Sequence, residues 1–85
     1  MEKFPKIKAG QVALLRANTQ YGHVLDEAFD IDNNDKQKVY TIFDSPDEAL
    51  AYANKFILES SEYEFTIFDH NNELLQFSSP LRNNK

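Results

Sequence analysis

The segment Ser45-Pro46-Asp47-Glu48 limits most strongly what this chain can become. Ser is a strong helix N-cap, Pro suits the first helical position, and Glu three residues after the Ser completes a capping box. Asp47 and Glu48 also place negative charge at the positive end of a helix dipole. Leu50, Ala53, Phe56 and Ile57 then share one face, with Ala49 and Tyr52 beside it, until Ser60-Ser61 ends the pattern. The spacing predicts a helix over 45–60. Runs rich in β-branched and aromatic residues flank it on both sides, Lys38–Phe43 and Tyr63–Phe68. Each reads as a strand. A strand on each side of one helix, in a chain of only 85 residues, implies a single α+β domain.

The remaining elements are shorter. Gln11–Ala17 is an apolar run with the length of a buried strand. In the next stretch, Tyr21, Val24, Leu25, Ala28 and Phe29 fall at helical spacing, with His23, Asp26, Glu27 and Asp30 opposite. That stretch, 20–29, reads either as a second helix or as a hairpin turning near Gln20-Tyr21-Gly22 with a strand from His23. Asp30–Lys36 is a polar loop, His70-Asn71-Asn72 a turn, and Glu73–Phe77 the last strand of a hairpin. The expected fold is a mostly antiparallel sheet of about four strands with the helix at 45–60. The alternative is a three-stranded meander, a helix and a C-terminal hairpin. Residues 1–10, with Pro5 and Gly10, read as an N-terminal arm, 11–78 as the domain, and 79–85 as a polar tail. The stretch from Ser78 onward is expected to fray.

Charge narrows the function. The chain has 14 Asp+Glu against 9 Lys+Arg, a formal net charge of −5. Residues 18–35 carry Asp26, Glu27, Asp30, Asp32 and Asp35 without any Lys or Arg, and residues 44–73 carry Lys55 as their only such residue. Such a surface repels nucleic-acid phosphates, so direct binding to DNA or RNA is not expected. It attracts a basic partner. The acids also serve solubility. A further alternative is an acidic mimic of nucleic acid, although Lys36, Lys38 and Lys55 interrupt the acidic rows. No apolar run approaches the length of a membrane span, and Met1–Lys6 lacks the apolar core of a signal peptide, so the expected compartment is cytoplasmic. The absence of Cys excludes disulfides and thiolate zinc sites.

Few residues offer chemistry. Thr41-Ile42-Phe43-Asp44 recurs as Thr66-Ile67-Phe68-Asp69. If the two strands run parallel, Asp44 and Asp69 share one end of the sheet, where paired carboxylates could hold Mg²⁺ or serve a small metal-assisted enzyme or ligand-binding protein. Chance similarity of strands and turns is the plainer account. Asp30-x-Asp32-x-Asn34 opens like a calcium loop, yet Asp35 and Thr41 stand where such a loop needs Gly and Glu. His23 and His70 are the only histidines, and Gly10 and Gly22 are too few for a phosphate-binding loop. The reading is a protein without a cofactor or metal that is not an enzyme.

The stronger clue is an apolar surplus. Alternation puts large apolar groups on both faces of the sheet, and the one clear helix covers one face. Phe43, Phe68 and Phe77 are therefore expected on an open face, unless the arm folds over it with Phe4 and Ile7. The function expected is a small acidic protein-binding module, either a homodimer or an inhibitor or immunity-type protein that neutralises a basic partner. Phe43, Phe68, Phe77, Asp26, Glu27 and Asp30 are its candidate contact residues.

Overall fold

The computed structural model describes residues 3–31 and 37–80. Strands β1 (Val12–Asn18), β2 (Val24–Leu25) and β3 (Tyr40–Phe43) come first, followed by helix α1 (Pro46–Glu59) and strands β4 (Tyr63–Phe68) and β5 (Leu74–Ser78). Every strand pairing is antiparallel. This is the α+β class read from the sequence.

Strand β1 is the hub. One of its edges pairs with β4 across Ala13–Asn18. The other is shared end to end by β3, opposite Val12–Leu15, and β2, opposite Arg16 and Ala17. Strand β5 pairs with the far side of β4 and forms the sheet edge. The meander alternative is thereby replaced, because β2 does not lie between β1 and β3. Both β3 and β4 oppose β1, so they run parallel to each other, with α1 as their connection.

The second helix over 20–29 does not form. Residues 16–25 make a hairpin instead, with Arg16 opposite Leu25 and Ala17 opposite Val24. The Asn18 side-chain oxygen accepts from the backbone N–H groups of Gln20 and Tyr21, and Gly22 takes φ 73°. Asn side chains compete with helical hydrogen bonding in this way, and a positive φ suits glycine. The edge of β1 then supplies the backbone partners. Two closely spaced turns, rather than one helix, produced the 3.6-residue spacing.

Helix α1 begins as its sequence requires. The Ser45 hydroxyl accepts from the Glu48 N–H at 3.3 Å, and Pro46 opens the first turn. Ala49 and Ala53 are buried, with Leu50, Tyr52, Phe56 and Ile57 packed around the core formed with Val12, Leu14, Phe65 and Ile67. No helix among the described residues is long and apolar enough to cross a membrane.

The two echoed strands differ in register by one residue. Val12 faces Phe43, whereas Ala13 faces Phe68. A one-residue offset flips every side chain. Phe43 therefore lies on the helix side, 5.4 Å from the Tyr52 ring centroid, and its expected place on the open face is corrected. Phe68 does lie on the other face, half-buried. Phe4 of the arm stands edge-on there, 6.0 Å from Phe68 and 5.3 Å from Tyr40. Phe77 pairs with Thr66 on the same face and is 37% exposed. At the other end of the chain, Ser78 belongs to β5, and Ser78, Ser79 and Pro80 are buried, so the expected fraying does not begin there.

Candidate functional site

The most unusual side chain in the core is Arg16, fully buried on the helix side of β1. It stands where β3 ends and β2 begins along the same edge, a junction that interrupts the ladder. Its guanidinium donates to the Val39 carbonyl at 3.3 Å and to the Thr41 hydroxyl. It lies 5.6 Å from the Phe29 ring centroid and 5.9 Å from that of Tyr52. Burying a cation is costly without hydrogen bonds, and aromatic faces provide further attraction. Arg16 Nε has no hydrogen-bond partner among the described residues.

Beside this junction the chain makes a tight turn from Asp26 to Asp30. The Asp26 N–H donates to the Asp30 carbonyl, and the Phe29 N–H to the Asp26 carbonyl. One oxygen of the Asp26 carboxylate accepts from the N–H groups of Ala28 and Asp30, while the other accepts from Gln37 Nε2 at 2.7 Å. The Gln37 bond, then the backbone donors, and last the charge of Arg16 hold the Asp26 carboxyl below its ordinary value, against an opposing effect of desolvation. Asp69 builds the same turn before β5, with its side chain accepting from Asn71 and Glu73. The position of positive φ is Asn72 in that turn and Phe29 in this one, at 63° and 66°. Asn tolerates that backbone conformation, whereas a bulky aromatic rarely adopts it. The Phe29 ring is held in packing, 4.9 Å from Phe56 and 4.6 Å from Tyr63.

Phe29 and Tyr63 belong to an open groove of about 700 Å³ where β1 ends and β4 begins. Leu25 and Ile31 add apolar surface, Asn18 and Gln37 add amides, and Asp30 and Glu62 contribute carboxylates. Apolar and polar side chains thus share the lining, and its two charged residues among those described are both acids.

The expected site residues separate accordingly. Asp30 lines the groove. Asp26 holds the turn together, and Glu27 accepts from the Thr41 hydroxyl at 3.2 Å. Phe43, Phe68 and Phe77 are not in the lining. Phe29 was legible only as one member of a helical stripe, and Tyr63 as the start of a strand. Glu62 carried no local signal.

Asp44 and Asp69 follow β3 and β4 at the opposite end of the sheet. These strands are parallel, but β1 runs between them, which separates the acids by about 10 Å at the usual strand spacing. Asp44 accepts from Gln11 Nε2, and Asp69 closes its turn. The described residues contain no group of three or more His, Cys, Asp or Glu side chains placed to hold a metal. Asp32 and Asn34 of the calcium-like motif lie outside the described residues. His23 is exposed and stacks on Tyr21, and His70 is exposed in its turn.

No protein-family model, curated protein or solved structure matches this chain.

Proposed function

We propose that this protein is a small acidic binding module that holds a basic segment of a partner protein in the groove between the Asp26–Asp30 turn and the start of β4. The observation that supports this reading is the joint lining of the groove, an aromatic and aliphatic floor beside the carboxylates of Asp30 and Glu62. An apolar floor provides contact area, and the carboxylates choose the sign of the partner. The net charge of −5 would steer a basic protein toward it.

The test is titration with a mixed Lys/Arg peptide of about a dozen residues, long enough to match a short recognition segment. Wild-type protein, the pair Asp30→Asn with Glu62→Gln, and the pair Asp44→Asn with Asp69→Asn would be compared by calorimetry. Binding should weaken about tenfold in the groove pair and hardly change in the other, as expected for lost charge-assisted contacts. It should also weaken with added salt. Equal affinity in all three proteins, or no binding by the wild type, would overturn the assignment.

A further inference from the structure

Resting on the binding reading above, we infer that the groove selects arginine over lysine, so that the partner's anchoring residue is an arginine side chain. The argument begins with the shape of the two cations. A lysine ammonium is a compact, strongly hydrated charge that is best satisfied by oxygen atoms on several sides. A guanidinium is flat and more weakly hydrated, stacks on aromatic faces and donates in its own plane. Of the eight described residues that line it, Leu25, Phe29, Ile31 and Tyr63 are apolar or aromatic, Asp30 and Glu62 are acids, and Asn18 and Gln37 are amides. Such a lining gives a lysine head oxygen atoms on part of its wall, and the rings and aliphatic groups that make up the rest cannot hydrogen-bond it. To an arginine it offers rings for the plane and carboxylates for the edge.

The site is also built rather than loose. Phe29 keeps a positive φ, with its ring packed against Tyr63 and Phe56. Asp30 is fixed by the Asp26 turn, since its N–H and its carbonyl are both bonded to Asp26. Glu62 is tied through its backbone, with its N–H on the Ser60 hydroxyl and its carbonyl accepting from the Thr19 N–H. Preorganised walls favour a cation of defined shape over one that only matches in charge. The protein already places one guanidinium against this aromatic group, since Arg16 lies over Phe29. Arg16 is not itself part of the groove lining.

Two blocked peptides of equal length and charge, one containing only arginine and the other only lysine as its basic residues, provide the test. Each is titrated into the ¹⁵N-labelled full chain at fixed salt. The arginine peptide should shift the amides of Leu25, Phe29, Asp30, Glu62 and Tyr63 saturably and bind about fivefold or more tightly than the lysine peptide, in keeping with stacking plus a two-donor contact. Tyr63→Leu, checked for an unchanged fold by its amide spectrum, should bring the two affinities together. Equal binding of both peptides at the groove would overturn arginine selectivity while leaving the basic-segment reading intact. No saturable shift at the groove from either peptide, or shifts spread equally over Asp47, Glu48 and Glu59, would overturn both.

Discussion

Arg16 shows how one side chain can repair a break in a sheet. Two short strands share one edge of β1, and the carbonyl of Val39 falls at their junction. The guanidinium spans from that carbonyl to the Thr41 hydroxyl. Lysine has no rigid fork and cannot make both bonds in one geometry. Arg16→Lys should therefore lower stability by about 1–3 kcal/mol, the cost of leaving buried polar groups unsatisfied, as measured by urea denaturation. No loss would mean that the junction does not depend on the fork. Asp26 makes a second residue-level prediction. Its folded carboxyl ionises more readily than an unfolded one, so its ionised form adds stability. That contribution is present above the ordinary value of 3.8 and is lost as pH falls through the lower folded value. Asp26→Asn keeps an oxygen able to accept in the turn but removes the titration. Its stability should fall less steeply on acidification below 3.8 than that of the wild type, read from urea midpoints across that range. Identical acid limbs would place the pH sensitivity elsewhere. Neither role was legible beforehand, because in the sequence Arg16 is one cation in an apolar run and Asp26 one acid among several.

Among the elements, α1 was the most legible. Its start depends on local chemistry, a hydroxyl and a proline acting within one turn, and local chemistry is carried by adjacent residues. Ser45→Ala should cost about 1 kcal/mol, visible as a lower urea midpoint, and an unchanged midpoint would deny the cap its role. Segment 20–29 was less legible because its fate depended on a distant strand edge. Five apolar residues fit a helix, yet the Asn18 and Asp26 side chains turn the backbone before one can propagate. Likewise, the two Thr-Ile-Phe-Asp copies have the same alternation, but only pairing with β1 sets their faces. Phe43 therefore joined the core while Phe68 went to the other side. The groove was the least legible feature, since it gathers residues from β1, β2, two turns and β4. Edge strand β5 leads to another prediction. Leu74 is 61% and Leu75 48% exposed, and the strand contains no charge or proline. Natural edges are usually protected by such residues. The chain is thus expected to self-associate at high concentration, and Leu75→Lys should reduce the mass seen by light scattering without shifting the melting temperature. A wild-type mass that is monomeric at every concentration would show that the edge needs no such protection.

At the scale of the molecule, the sheet is covered unequally. Helix α1 closes one face with a continuous core, while a few residues of the arm close part of the other. An apolar sheet face left to water loses the main favourable term in folding. In a chain of 85 residues, little polypeptide remains to shield it. Phe4 fills this role through edge-on contacts with Tyr40 and Phe68, while Ala13, on the same face, is buried. This cover takes up part of the aromatic surplus, at Tyr40 and Phe68, while Phe77 on the same face stays 37% exposed. Under the binding role proposed above, the arm side would serve stability and the acidic groove recognition. Phe4→Ala should make that division measurable. Removing a half-buried ring should cost about 1–3 kcal/mol, less than the 3–5 typical of a fully buried one. It should also raise the fluorescence of a dye that reports exposed apolar surface. Binding of the arginine peptide should remain within about twofold of the wild type under conditions where the variant is folded, because distant sites behave independently. A large loss of peptide affinity in folded Phe4→Ala would show that the two faces are coupled and that the arm helps to shape the groove.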